Sequence, residues 1–314
     1  VTTLRDNLVL AMLVALWIGL VALIALTQPE ILSARTLTSV LQFSTILALV
    51  SIGLGLVVLA GGAGIDLSVG GNVSLSAVLA MFALSAGMPA VLLPALCIGI
   101  GLVLGAFNGL LVTRLALYPL IVTLGTFYLY SGLALALTGG AALSGVPDWA
   151  LVWGRGKVGP IPLPFLTLVI PVIVLALLIV LRTAWGTWIL AMGNDDRAAH
   201  LSGVPVGRVR IVLYTVTGGL AGLAAFVSLA WLGSARPNIG VNLELEALTA
   251  VLLGGIAITG GRGGLTGVIA AVFLVVMLKT ALLQSGINTI WQTGAIGLLL
   301  IVALLANRFS LSKG

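Results

Sequence analysis

Asp66 stands in the run Gly61-Gly62-Ala63-Gly64-Ile65-Asp66-Leu67-Ser68-Val69-Gly70-Gly71-Asn72, a carboxylate set among glycines in a chain almost free of charge. Each glycine costs a helix interior about 1 kcal/mol relative to alanine, so a straight helix through this run is disfavoured and a break is expected near Asp66. Broken helices inside a membrane offer free N–H and C=O groups to a polar solute, provided protein or a water-filled cavity covers them. Asp66 can hold such a break through capping and backbone contacts, touch the solute, or do both. A second run of this kind is Val241-Asn242-Leu243-Glu244-Leu245-Glu246, which opens a helix, continues as an apolar stretch through Gly254-Gly255 and ends in the turn Gly260-Gly261-Arg262-Gly263-Gly264. Glu244 and Glu246 are two apart and cannot share a helical face, so at least one is expected to cap the helix or face water.

Asn72, Asn108, Thr123, Thr126, Gln284, Asn288 and Gln292 donate and accept hydrogen bonds without adding charge, which suits a neutral polyhydroxylated solute as well as bonding between helices. Phe127, Tyr128, Tyr130, Trp231 and Trp291 could stack on an apolar sugar face, anchor at an interface or fill the core. Enzymatic chemistry finds no support. Gly156-Lys157, the sole Gly-Lys pair, lacks a Walker context, and there is no H-E-x-x-H, paired-cysteine or G-x-S-x-G pattern. A single histidine, His200, excludes a multi-histidine metal site, and the lone Cys97 in an apolar run implies no disulfide framework. No catalytic residue, metal site or bound cofactor is therefore expected, and any ATP-driven work belongs to another subunit.

The elements that must position these groups are set by composition: 61% of residues are hydrophobic and 7% charged, against roughly 25% charged in a soluble domain. The reading is an all-α polytopic membrane protein, one integral transmembrane domain over residues 1–314, of a membrane transporter. About ten stretches near the membrane-spanning length of roughly 20 residues are expected. They are 8–27, 38–60, 68–87, 90–112, 119–138, 163–181, 210–231, 243–260, 264–284 and 287–306. The first resembles a signal peptide in charge and length, but no cleavage signature follows, so it is read as a retained helix. With Arg5 inside, these crossings place Arg114, Arg182, Arg197, Arg208, Arg210, Arg308 and Lys313 inside, and Arg35, Arg155, Lys157 and Arg236 outside. Both termini are therefore expected in the cytoplasm. The net charge of +6 is scattered over loops, which points to an anionic membrane leaflet and away from nucleic acid. Gly101, Gly105 and Gly109, and Gly218 and Gly222, stand at the spacing that lets helix backbones pack closely. Two broken, carboxylate-bearing segments in related places suggest an inverted repeat of roughly five crossings per half. Trp149 and Trp153 fall in the outside loop, on the membrane surface or against an external partner. Residues 182–209 form a cytoplasmic coupling segment. Within it, 195–201 make a short helix capped by Asn194 or Asp195 and ended by Gly203-Val204-Pro205, exposed to water or docked into a cytoplasmic protein.

Taken in order, several motifs give the chain a resemblance. They are Gly64-Ile65-Asp66-Leu67-Ser68-Val69-Gly70, Phe107-Asn108-Gly109, Ile121-Val122-Thr123-Leu124-Gly125-Thr126, Gly193-Asn194-Asp195, Leu201-Ser202-Gly203, Leu253-Gly254-Gly255 and Gly260-Gly261-Arg262-Gly263. Nearly the whole chain resembles the permease subunits of bacterial ABC importers for ribose and related monosaccharides, including the autoinducer-2 branch. Gly71 departs from the serine most often found after the equivalent of Gly70. The alanine and leucine content beside Tyr128 and Tyr130 is closer to the autoinducer-2 or rhamnose branch. The resemblance implies an inner-membrane permease paired with a second copy or a related permease. It further implies two cytoplasmic ATPase subunits, or a fused ATPase, carrying ATP and magnesium, together with an external sugar-binding protein. Asn194, Asp195, Asp196, Arg197, His200, Leu201 and Ser202 would then form the coupling helix on the ATPase. Asp66, Asn72, Asn108, Thr123, Thr126, Phe127, Glu244, Glu246 and Asn288 are the candidates for the translocation pathway. Read from the residues alone, an ion-coupled transporter or facilitator also suits broken helices and membrane carboxylates, and a structural scaffold suits the glycine packing.

Overall fold

The apolar runs fold as α-helices, which satisfy every backbone polar group within one segment where water is excluded. The computed structural model describes residues 4–27, 29–31 and 33–312. Lys313, and the side chains of Arg5 and Arg308, lie outside what is described. In chain order the helices are α1 (Leu4–Thr27), α2 (Ala34–Leu59), α3 (Val69–Ser85), α4 (Leu93–Arg114) and α5 (Pro119–Thr138). They continue with α6 (Asp148–Arg155), α7 (Ile170–Arg182), α8 (Ala184–Asn194), α9 (Asp196–Leu201) and α10 (Val206–Leu232). The last are α11 (Leu243–Leu253), α12 (Leu265–Gln284) and α13 (Thr289–Ser312). Two antiparallel ribbons accompany them: β1 (Leu143–Ser144) pairs with β4 (Ser234–Ala235), and β2 (Lys157–Val158) with β3 (Ile161–Pro162).

Six segments among the described residues are long and apolar enough to cross a membrane: Ala34–Leu59, Ala90–Arg114, Pro119–Thr138, Phe165–Arg182, Val206–Leu232 and Leu265–Gln284. α3, with 17 residues, and α11, with 11, are shorter. At 1.5 Å per residue they reach about 25 Å and about 16 Å, less than the roughly 30 Å of hydrocarbon. The stretch 243–260, expected as one span, is thus helical only to Leu253. Beyond it the backbone folds into a turn that brings Gly254 against Gly267 and Val268 at the start of α12. The 139–162 loop also holds more than expected, namely α6 and the β2–β3 ribbon. Arg155 donates its Nε to the Trp231 carbonyl at 2.9 Å, and Trp149 and Trp153 lie on the Phe226 ring with centroids 6.1 and 5.2 Å away. The two tryptophans therefore pin α6 to α10.

The core is built around α2, whose residues from Leu47 to Leu59 are all buried. α10 lies antiparallel to it, Gly53 meeting Thr217 and Phe43 meeting Trp231 edge-on at 5.0 Å. The closest helix pair is α4 with α10. A methyl group on Gly101 or Gly105 would overlap the carbonyl oxygens of Gly218 or Tyr214, and one on Gly222 that of Cys97. The four-residue glycine spacing thus serves backbone contact, as expected. α2 packs on α12 and α11, α10 on α4 and α3, α3 on α4 and α5, and α11 on α12 and α13.

Candidate functional site

The break expected at Asp66 lies between α2 and α3. Gly61 and Gly62 turn the chain at φ 71° and 63°, values that L side chains rarely adopt, and Ala63 follows at φ 55°. Asp66 is 1% exposed. It is not the residue that flanks α3; Ser68 is, and Asp66 holds it, its Oδ1 accepting from Ser68 Oγ at 2.6 Å and Ser68 N at 3.0 Å. Ser68 Oγ in turn accepts from Asn108 Nδ2 of α4 at 2.7 Å. Tyr130 of α5 donates to the Leu104 carbonyl at 3.1 Å and lies 3.5 Å from Asn108 Oδ1. Thr123 donates to the Ile65 carbonyl at 3.0 Å. Asn72 gives its Nδ2 to the Gly101 carbonyl at 3.2 Å and receives Ser76 Oγ on its Oδ1 at 2.9 Å. Buried polar groups need partners where water is absent, and these four elements supply them for one another. Thr126 bonds back to Val122 and Thr123 within α5, and Phe127, partly exposed, lies edge-on to Tyr128 at 5.2 Å.

The second broken segment meets the first. The backbone re-enters after β4 so that Gly240 N donates to Ser74 Oγ at 3.0 Å, and Gly240 lies against Gly70 with no room for a side chain on either. Asn242, at φ 68°, starts α11 without a side-chain cap. Glu244 is 7% exposed and turned towards Gly70, where a Cβ would overlap its Oε2. That oxygen has no hydrogen-bond partner among the described residues. Glu246 does not cap the helix or face open water either: it accepts from Lys279 Nζ of α12 at 2.6 Å. Packing accounts for this, since α12 carries a lysine at the matching height. The pair lines a cavity of about 490 Å³ with Phe43, Trp231, Val241 and Gln292. Asn288 is exposed, one turn before the cavity-lining Gln292, its Oδ1 accepting from Ile290 N at 3.0 Å in the first turn of α13.

The third site is the segment after α7. Asp195 caps α9, its Oδ1 accepting from Arg197 N at 2.8 Å and Ala198 N at 3.0 Å. Asn194 bonds back to the Leu190 carbonyl at 3.0 Å. Asn194, Asp195, Arg197, His200, Leu201 and Ser202 are exposed, Leu201 at 80%. Asp196 instead turns inward and pairs with Arg210 Nη2 of α10 at 2.5 Å. Ser68, Ser74, Arg210 and Lys279 were not legible as site residues. Serine is common throughout such chains, Arg210 reads first as a topology signal at a span end, and Lys279 lies inside a predicted span with no local pattern to name its partner. Groups of His, Cys, Asp and Glu able to hold a metal are absent among the described residues.

Broken half-helices held by buried polar groups inside a bundle of apolar helices define a polytopic membrane permease. The family described as branched-chain amino acid transport system / permease component matches residues 36–304, and the chain belongs to that family. It is 34% identical to the ribose import permease protein of Bacillus subtilis over 92% of this chain and 89% of that protein. It is 33% identical to the autoinducer 2 import system permease protein of Klebsiella pneumoniae, over 96% and 92% of the two chains. To the fructose import permease protein of Rhizobium meliloti it is 34% identical, over 93% and 83%. No solved structure gives a significant match. The chain is accordingly a translocation component of the all-α class, multi-pass in the inner membrane, rather than an ATPase.

Proposed function

We propose that this chain is the permease subunit of an ATP-driven, binding-protein-dependent importer of a monosaccharide or related small polyol. The carrying observation is the meeting of Gly70 in α3 with Gly240 in the turn that leads into α11, the buried Glu244 carboxylate turned into the contact. Ribose, autoinducer 2 and fructose name the imports of three relatives, and hydroxyl-rich solutes match the amides and hydroxyls concentrated here.

Ten crossings follow if α3 and α11 count with their preceding re-entrant stretches, and both termini then lie in the cytoplasm. An inverted repeat is supported by exchanging α2 with α10, α3 with α11, α4 with α12 and α5 with α13. Among these eight helices the packing pairs then map onto one another: α10·α4 onto α2·α12, α10·α3 onto α2·α11, α3·α5 onto α11·α13. Among the pathway candidates, Glu244 and Phe127 retain unsatisfied or exposed surface for a solute. Asp66, Asn72, Asn108, Thr123 and Thr126 position the half-helix. Glu246, with Trp231 and Gln292, offers a second contact zone in the cavity, and Asn288 serves α13.

The exposed face of α9 docks on a cytoplasmic ATPase subunit carrying ATP and magnesium. An apolar Leu201 at the tip of a polar knob is the kind of side chain that fills a partner's pocket. A second permease, an external binding protein and surrounding lipid complete the assembly. The test is uptake of labelled pentoses, hexoses, deoxy sugars and autoinducer 2 after reconstitution with ATPase and binding protein. Uptake requiring every component, and reduced about tenfold or more by Leu201→Asp through loss of the docked side chain, is expected. Flux that follows an ion gradient without ATP would overturn the reading.

A further inference from the structure

We infer that α8 and α9 are fastened to both half-helices through one glycine junction, and that Asp196 and Arg210 form the clamp that makes knob and half-helices move as one body. This deepens the importer reading and rests on it. Gly193, in the last turn of α8, touches two turns at once: a methyl group there would overlap Leu59 O and the Gly261 nitrogen. A Cβ on Gly61 would lie 2.8 Å from Gly193 Cα, one on Gly260 would overlap Gly61, and one on Gly261 would lie 2.6 Å from Asn194 Oδ1. The Gly261 nitrogen donates to the Leu59 carbonyl at 2.9 Å. Three backbone segments therefore meet with no side chain between them: the turn leading to α3, the turn leaving α11 and the end of α8. Contacts of this kind contain no rotamers that could absorb a displacement, so a shift of one segment is passed to the others.

The ion pair closes the same junction from the side. Arg210 Nη2 and Asp196 Oδ2 meet directly above Gly62, where any Cβ would overlap the guanidinium. The pair is partly buried, and its role here is to hold position. Two further features surround the pair. Asp196 Oδ1 is buried with no hydrogen-bond partner among the described residues. A recess of about 300 Å³, lined by Gly62, Thr113, Tyr118 and Arg210, opens beside the guanidinium. Asp196 is thus a positioning residue that faces the membrane domain, and the ATPase meets its neighbours.

The test uses the full chain in lipid nanodiscs with spin labels on cysteines at Ala63 and Ala198, both exposed, the native Cys97 being buried. One narrow distance distribution is expected. Asp196→Asn and Arg210→Gln should each broaden it, and the exchange Asp196→Arg with Arg210→Asp should narrow it again. In the reconstituted importer each single variant should raise ATP consumed per sugar by about tenfold, and the exchange should return it to within about threefold, as a direct pair requires. Gly193→Ala should broaden the distribution too, but it can block assembly, so the charge variants decide. Distributions in both single variants as narrow as in the wild type would overturn the proposal. So would uptake and hydrolysis that fall together without rescue by the exchange. A wild type without ATP-dependent uptake would sink the importer reading, while the labels would still report on the clamp.

Discussion

Asp66 and Glu244 are both buried carboxylates, yet their surroundings differ. Asp66 Oδ1 accepts two hydrogen bonds from Ser68, whereas Glu244 Oε2 accepts none. Removing an acceptor strands its donors, and a stranded buried donor costs about 1–3 kcal/mol. Asp66→Ala should therefore lower the thermal midpoint of the purified permease by several degrees, with Asp66→Asn losing less because its amide oxygen can still accept. Equal midpoints for Asp66→Ala and the wild type would show that the turn holds without this carboxylate. Asp66 was legible as the centre of a break because its glycine neighbours announce it. Which groups it binds was not, since Asn108 lies 40 residues beyond Ser68 and reaches Asp66 only through it.

At the scale of elements, α4 and α10 approach closely because glycines stand where their backbones cross. Lipid tails are as apolar as leucine, so such helices associate through close packing and polar contacts. Overpacking of this kind costs about 1–3 kcal/mol or more. Gly105→Ala should accordingly destabilise the protein, measured as a lower thermal midpoint, while Gly99→Ala in the same helix should leave it unchanged because nothing lies within 4 Å of the added carbon. The reverse order would mean that α4 sits in a different rotation. Glycine spacing revealed the contact but not the partner. α11 shows the opposite failure: its apolar run predicts a crossing to residue 260, and Gly254-Gly255 end the helix early so that the chain can turn into α12.

For the molecule as a whole, the proposed orientation places the 139–162 segment outside and α9 inside. A membrane-impermeant thiol reagent added to intact cells should modify a cysteine at exposed Ala141 and spare one at exposed Ser202, with both modified in inverted vesicles. Modification of the Ser202 position in intact cells would reverse the topology. By itself the sequence determined the solvent, the helical class, the two breaks and the capped knob. Those properties follow from local composition, namely apolar length, glycine and the cap chemistry of Asp195. Only the tertiary structure decided that the breaks meet at Gly70 and Gly240, that Lys279 neutralises Glu246, and that Asp196 faces Arg210. These pairings join residues 14 to 170 positions apart, at separations set by how whole helices pack, which no local pattern encodes.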